Sequence, residues 1–134
     1  ALRFREHQAN AQKLANYLSE HLAVASVIYP GLFEGDDKSL VTKYLNKGHG
    51  ALVGIELKGG NEAGLKLINN LQLIYHVANI GDARTLAIHP ASTTHSQLSA
   101  AEQLQAGVTP GYIRFSVGIE HIDDIIADIE QALA

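Results

Sequence analysis

The sequence predicts an α+β domain, a mainly antiparallel sheet with helices packed on one face. Three observations carry this. Two long stretches with a one-sided apolar stripe stand near the two ends of the chain, and short β-branched runs lie between them. The 134 residues, 46% of them hydrophobic, suffice for a single sizeable core. Connections of ordinary length, with no low-complexity stretch or internal repeat, make residues 1–134 one domain.

From Phe4 to Leu22, apolar residues recur at Ala11, Leu14, Ala15, Leu18 and Leu22, a spacing that lays one stripe along a helix. Val24 to Tyr29 is β-branched and stops at Pro30-Gly31, so it reads as a strand. Between Glu34 and Lys47, Leu40, Val41, Tyr44 and Leu45 indicate a short helix in a polar segment. Ala51 to Leu57 is a second strand between glycines. The next helix carries Gly64, Leu67, Ile68 and Leu71 on its packing stripe; Asn61 is positioned to cap it and Glu62 to meet the positive end of its dipole.

Leu73 to Ala78 and Thr85 to Ile88 read as two short strands around the turn-forming Asn79-Ile80-Gly81-Asp82. A polar loop, Ala91 to Gln97, leads to Ser99-Ala100-Ala101-Glu102, a capping box opening a helix that ends near Gly107. Tyr112 to Val117 is the final strand. The last helix repeats the stripe spacing with Ile122, Ile125, Ile126, Ile129 and Leu133, behind Asp123 and Asp124 at its start.

Composition closes several classes of function. With no Cys there is no disulfide framework, thiol nucleophile, zinc ribbon or iron–sulfur cluster. The net charge of -4 and the scattered Lys and Arg disfavour nucleic acid and anionic membranes as partners. No apolar run reaches the roughly 18 residues of a membrane span, so a soluble, cytoplasmic protein is the expectation. The chain has no Met, even at position 1, and opens directly into a helical pattern, as a piece of a longer chain would.

The seven histidines show no metal-ligand spacing: His89 and His95 are six apart across a loop. Ser92, Thr93, Thr94 and Ser96 beside His95 read as a loop capped by its own side chains rather than an activated nucleophile. Neither GxGxxG nor GxxxxGK[ST] occurs, which disfavours nucleotides. Arg114 stands apart, because a guanidinium among the apolar residues of a strand needs an anion or water. Either it faces outward or forms a salt bridge, or its planar fork clamps a carboxylate ligand. The pattern leaves both open.

Two long motifs then carry a resemblance. One is Asn79-Ile80-Gly81-Asp82-Ala83-Arg84-Thr85-Leu86-Ala87-Ile88-His89-Pro90-Ala91-Ser92-Thr93-Thr94-His95; the other is Ile113-Arg114-Phe115-Ser116-Val117-Gly118-Ile119-Glu120. Together with Tyr29-Pro30-Gly31-Leu32 and Glu56-Leu57-Lys58-Gly59-Gly60, they resemble the C-terminal region of the Cys/Met-metabolism family of pyridoxal-phosphate enzymes, over essentially the whole chain. Within it, Asn79-Ile80-Gly81-Asp82 is similar to the branch of sulfhydrylases acting on O-acetyl-L-homoserine.

The resemblance implies the small C-terminal domain of a fold-type I pyridoxal-phosphate enzyme, closing over a site built mainly by a larger cofactor-binding domain absent from this chain. It implies that Arg114, in the RxSxG motif, pairs with the substrate's α-carboxylate. Asn79 stands where relatives such as methionine γ-lyase have Ser, and its amide can still donate to that carboxylate. Thr94, in the PASxTH loop, is a further substrate-binding candidate, and His95 is scaffold rather than base. No catalytic, cofactor-binding or metal-binding residue is assigned. None of Lys13, Lys38, Lys43, Lys47, Lys58 or Lys66 has the Ser/Thr-rich setting of the family's cofactor lysine, so the chain alone is expected to be inactive and to bind no pyridoxal phosphate stably. For the intact parent the resemblance implies γ-replacement of acetate by sulfide or a small thiol, giving homocysteine or methionine, in a homotetramer. A cystathionine γ-synthase or methionine γ-lyase parent, and an independent non-enzymatic amino-acid-binding module, are the alternatives.

Overall fold

A computed structural model describes all residues, 1–134. Five strands form one sheet: β1 (Val24–Ile28), β2 (Leu52–Leu57), β3 (Tyr75–His76), β4 (Leu86–Ile88) and β5 (Tyr112–Ser116), in the order β1-β2-β5-β4-β3. Five helices accompany it: α1 (Leu2–Glu20), α2 (Gly35–Tyr44), α3 (Gly60–Asn70), α4 (Ala100–Gln105) and α5 (Ile122–Leu133). All pairings are antiparallel except β3 with β4. The expected α+β class, a mainly antiparallel sheet with helices on one face, is what the chain adopts.

Strand alternation separates the two faces of the sheet. Val53, Ile55 and Leu57 of β2 and Ile113 and Phe115 of β5 point to the helix side, where Leu14 and Leu18 of α1, Leu67 of α3 and Ile125 and Ile129 of α5 meet them, all at 2% exposure or less. Each such side chain contributes about 1.5–3 kcal/mol by leaving water, so this layer dominates stability. The opposite face carries Leu52, Gly54, Glu56, Tyr112, Arg114 and Ser116. Register sets Gly54 beside Arg114 and Leu52 beside Ser116. Gly54 is required there, since a Cβ would stand 2.6 Å from the Tyr112 hydroxyl.

Several local expectations are corrected. α1 ends at Glu20, where His21 turns extended, so Leu22 leaves the stripe and is 87% exposed. α3 starts at Gly60, before Asn61, and its N-cap is Gly59 with no side-chain bond; Asn61 caps nothing. The strand expected over residues 73–78 shrinks to Tyr75–His76; on its N-terminal side, Asp128 of α5 takes the backbone donors. The Asp128 carboxylate accepts from the amides of Gln72 (2.8 Å), Leu73 (3.0 Å) and Ile74 (2.8 Å). The capping box at α4 forms as expected, with Ser99 and Glu102 exchanging bonds, and these bonds hold the Glu102 carboxyl below its ordinary pKa.

A polar clasp fixes the end of β5. His7 donates from Nδ1 to the Val117 carbonyl at 2.6 Å, and Asn10 donates to the carbonyls of Gly118 and Glu120. Glu120 in turn accepts from the amide and hydroxyl of Thr85. Three elements distant in sequence are thereby locked around the strand that carries Arg114.

Candidate functional site

Arg114 rises from the centre of β5 on the face that no helix covers. Antiparallel neighbours on both sides, Gly54 and Ile88, hold its backbone. Its guanidinium is half-buried and donates from Nη2 to the main-chain carbonyl of Asn79 at 3.3 Å. Nε is buried without a partner. No carboxylate lies within ion-pairing distance: the chain's ion pairs are His21–Glu130, Lys38–Glu34, Arg84–Asp82 and His121–Asp123. A half-buried cation with no anion and an unpaired donor keeps an uncompensated charge on this face.

Asn79 lies in the loop after β3, exposed, with Oδ1 accepting from the Ile80 amide at 2.9 Å and its side-chain nitrogen free. Two residues on, Gly81 adopts φ +77°, a conformation suited to glycine, and its amide donates to Ser116 Oγ at 3.1 Å. A cleft of about 330 Å³ adjoins this loop, lined by Phe4, His49, Leu52, Ile80 and Ser116 among others. Tyr112 shares the face; burial pushes its phenol pKa up, and the charge of Arg114 opposes that shift.

Of the three sequence candidates, the fold brings Arg114 and Asn79 together. Thr94 is exposed in the following loop, where its hydroxyl contacts His95 Nδ1 at 2.8 Å, and it shares no hydrogen bond with the other two. His95 is tied into that loop through its carbonyl, which accepts from Gln103. His89 is fully buried between Ser92 Oγ (2.8 Å) and the Pro110 carbonyl (2.7 Å), pinning β4 to the entry of β5. No three His, Cys, Asp or Glu side chains form a metal-binding group. Sequence reasoning passed over Asp128 and Ser116. The signal for Asp128 was a carboxylate one turn from Ile125 on an otherwise apolar stripe; the signal for Ser116 was its place as the serine of the RxSxG motif.

The whole chain, residues 1–134, matches the family model described as Cys/Met metabolism PLP-dependent enzyme. The chain belongs to this family. Among curated relatives of this PLP-dependent family, the chain is 52% identical over 133 residues to an O-acetyl-L-homoserine sulfhydrylase of Leptospira meyeri, covering 98% of the chain and 30% of that protein. It is 44% identical over 132 residues to an L-methionine gamma-lyase of Fusobacterium nucleatum subsp. polymorphum, covering 98% of the chain and 33% of that protein. A crystal structure of an O-acetylhomoserine (thiol)-lyase from Campylobacter jejuni superimposes with a TM-score of 0.88 at 41% identity, over 98% of this chain and 31% of that one, and contains a pyridoxyl-lysine phosphate adduct. The chain thus spans about a third of the length of the proteins it matches.

In the Campylobacter structure the pyridoxyl group is carried by a lysine; every lysine of this chain is exposed. Lys58 and Lys66 donate to the carbonyls of Leu22 and Ala134, and Lys38 pairs with Glu34. None lines a cleft.

Proposed function

We propose that this chain is the substrate-carboxylate-binding C-terminal part of a PLP-dependent O-acetyl-L-homoserine sulfhydrylase, working with a larger cofactor-binding domain in a cytoplasmic homotetramer. The observation that carries this reading is the half-buried Arg114 guanidinium, which lacks an anionic partner and stands beside Asn79. Its planar fork can donate to both oxygens of an α-carboxylate, and the free amide nitrogen of Asn79 offers a further donor. Held at this end, the amino-acid substrate keeps one orientation while its γ-carbon reacts.

The reaction proposed for the intact enzyme converts O-acetyl-L-homoserine and sulfide into L-homocysteine and acetate; a small thiol in place of sulfide gives methionine. Pyridoxal phosphate supplies the electron sink for such chemistry, and its anchoring belongs to residues outside this chain. Alone, the chain is inactive in this reading. Support for the sulfhydrylase branch over a γ-lyase comes from Asn79-Ile80-Gly81-Asp82 and from the higher identity to the sulfhydrylase relative.

The test is an assay of the PLP-loaded full-length protein carrying this chain. Acetate release from O-acetyl-L-homoserine that depends on added sulfide is the expected result. Breakdown of methionine without turnover of O-acetyl-L-homoserine would move the chain to the γ-lyase branch.

A further inference from the structure

Arg114 and Ser116 are two residues apart on β5, so alternation puts both on the open face, separated by roughly 7 Å along the strand. Asn79 and Gly81 are also two residues apart, and their loop runs alongside. Its two ends meet the strand at matched points: the Asn79 carbonyl at Arg114 Nη2 (3.3 Å) and the Gly81 amide at Ser116 Oγ (3.1 Å). We propose that Ser116 is a positioning residue for the carboxylate site, its hydroxyl holding Gly81 so that the Asn79 carbonyl keeps the Arg114 guanidinium aimed over the sheet. This rests on the reading of Arg114 as the carboxylate clamp.

The rest of the local structure gives this task to Ser116. Two other bonds reach the loop beyond Asn79: Arg3 Nη2 donates to the Gly81 carbonyl at 3.2 Å from an exposed position, where water competes on equal terms, and the Ile119 amide donates to the Ala83 carbonyl at 2.8 Å, two residues past Gly81. Ser116 is 2% exposed, so its bond to Gly81 is part-buried and less open to water than that of Arg3. Asn79 Oδ1 is committed to the Ile80 amide within the loop and fixes nothing outside it. Arg114 has no further protein acceptor, and Nε has none at all. Released by Gly81, the loop takes the sole acceptor of the guanidinium with it, and a long side chain with four rotatable bonds is then free to leave the face. Binding a carboxylate would require ordering it again, with a matching loss of affinity.

The experiment is a double-mutant cycle in the PLP-loaded full-length enzyme, with Ser116→Ala, Ser116→Thr, Arg114→Lys and the Ser116→Ala/Arg114→Lys pair. Ser116→Ala is expected to lower kcat/KM for O-acetyl-L-homoserine by roughly 3- to 10-fold, the size of one part-buried hydrogen bond, and Ser116→Thr to restore most of it. In the Arg114→Lys background, Ser116→Ala should have no further effect, because the group it positions is gone. An equal loss in both backgrounds would show a purely structural serine and overturn the proposal, as would a neutral Ser116→Ala. If Arg114→Lys itself leaves the kinetics unchanged, the carboxylate reading falls instead. Amide exchange on the unmutated protein is a check that needs no variant: Gly81 is expected to be protected, and exchange at the free-peptide rate would mean that Ser116 does not hold it.

Discussion

The Arg114 guanidinium donates to the main-chain carbonyl of Asn79 across 35 residues of sequence, and no carboxylate of the chain approaches it. A backbone carbonyl can orient a guanidinium but leaves its charge uncompensated. This uncompensated charge divides the effects expected of mutations at Arg114 from those expected in the core.

Arg114→Lys keeps the charge and loses the fork. In the full-length enzyme, kcat/KM for O-acetyl-L-homoserine should fall by about 10- to 1000-fold, corresponding to about 1.5–4 kcal/mol of lost contact and orientation. Thermal unfolding should shift little, since the residue makes one modest internal bond. Steady-state kinetics beside a melting curve separates the two effects.

The isolated chain mixed with pyridoxal phosphate and borohydride should yield no single stoichiometric lysine adduct, because every lysine is exposed and none lines a cleft. Peptide mapping by mass spectrometry reads this directly. One specifically labelled lysine would contradict the assignment of cofactor binding to another part of the enzyme.

Asp128→Asn should be among the most damaging conservative changes. The carboxylate, 6% exposed, accepts from three consecutive main-chain amides. An amide nitrogen at either position faces an N–H donor and leaves buried groups unpaired, which costs about 2–4 kcal/mol. Urea denaturation should show the loss, with the deficit centred on residues 72–74.

Gly64→Ala, a change that ordinarily favours a helix, should destabilise here by about 1–3 kcal/mol. The added Cβ would lie 2.6 Å from Nε2 of the fully buried His89, which is already bonded to the Pro110 carbonyl. A lowered melting temperature is expected; an unchanged or raised one would mean that the His89 ring is free to move.

Tyr17 and His21 of the α1 terminus both bond Glu130 of α5. Burial, then the bond and charge of Glu130, push the Tyr17 phenol from 10.0 up to about 12. The folded protein therefore holds this proton more tightly than the unfolded chain. Its contribution is full below pH 10 and is lost as pH rises toward 12. Tyr17→Phe should flatten that alkaline decline in denaturation midpoints.

What the sequence determined by itself was local or motif-borne. The stripe through Leu14 and Leu18, the stripe through Ile125 and Ile129, and the Ser99–Glu102 capping box are written within one or two turns, so periodicity reads them without the rest of the chain. The motifs around Asn79 and Arg114 carried the family. The stop of α1 before Leu22, the start of α3 at Gly60 and the start of β3 at Tyr75 were decided by competition for backbone partners. The carboxylate of Asp128, more than fifty residues away, takes the amides that a longer β3 would have used. The parallel pairing of β3 with β4, and the meeting of Asn79 with Arg114 and of Gly81 with Ser116, likewise exist only after the sheet has closed. A single hydrogen bond leaves no period in a sequence, and its partner is chosen by the packing of everything between.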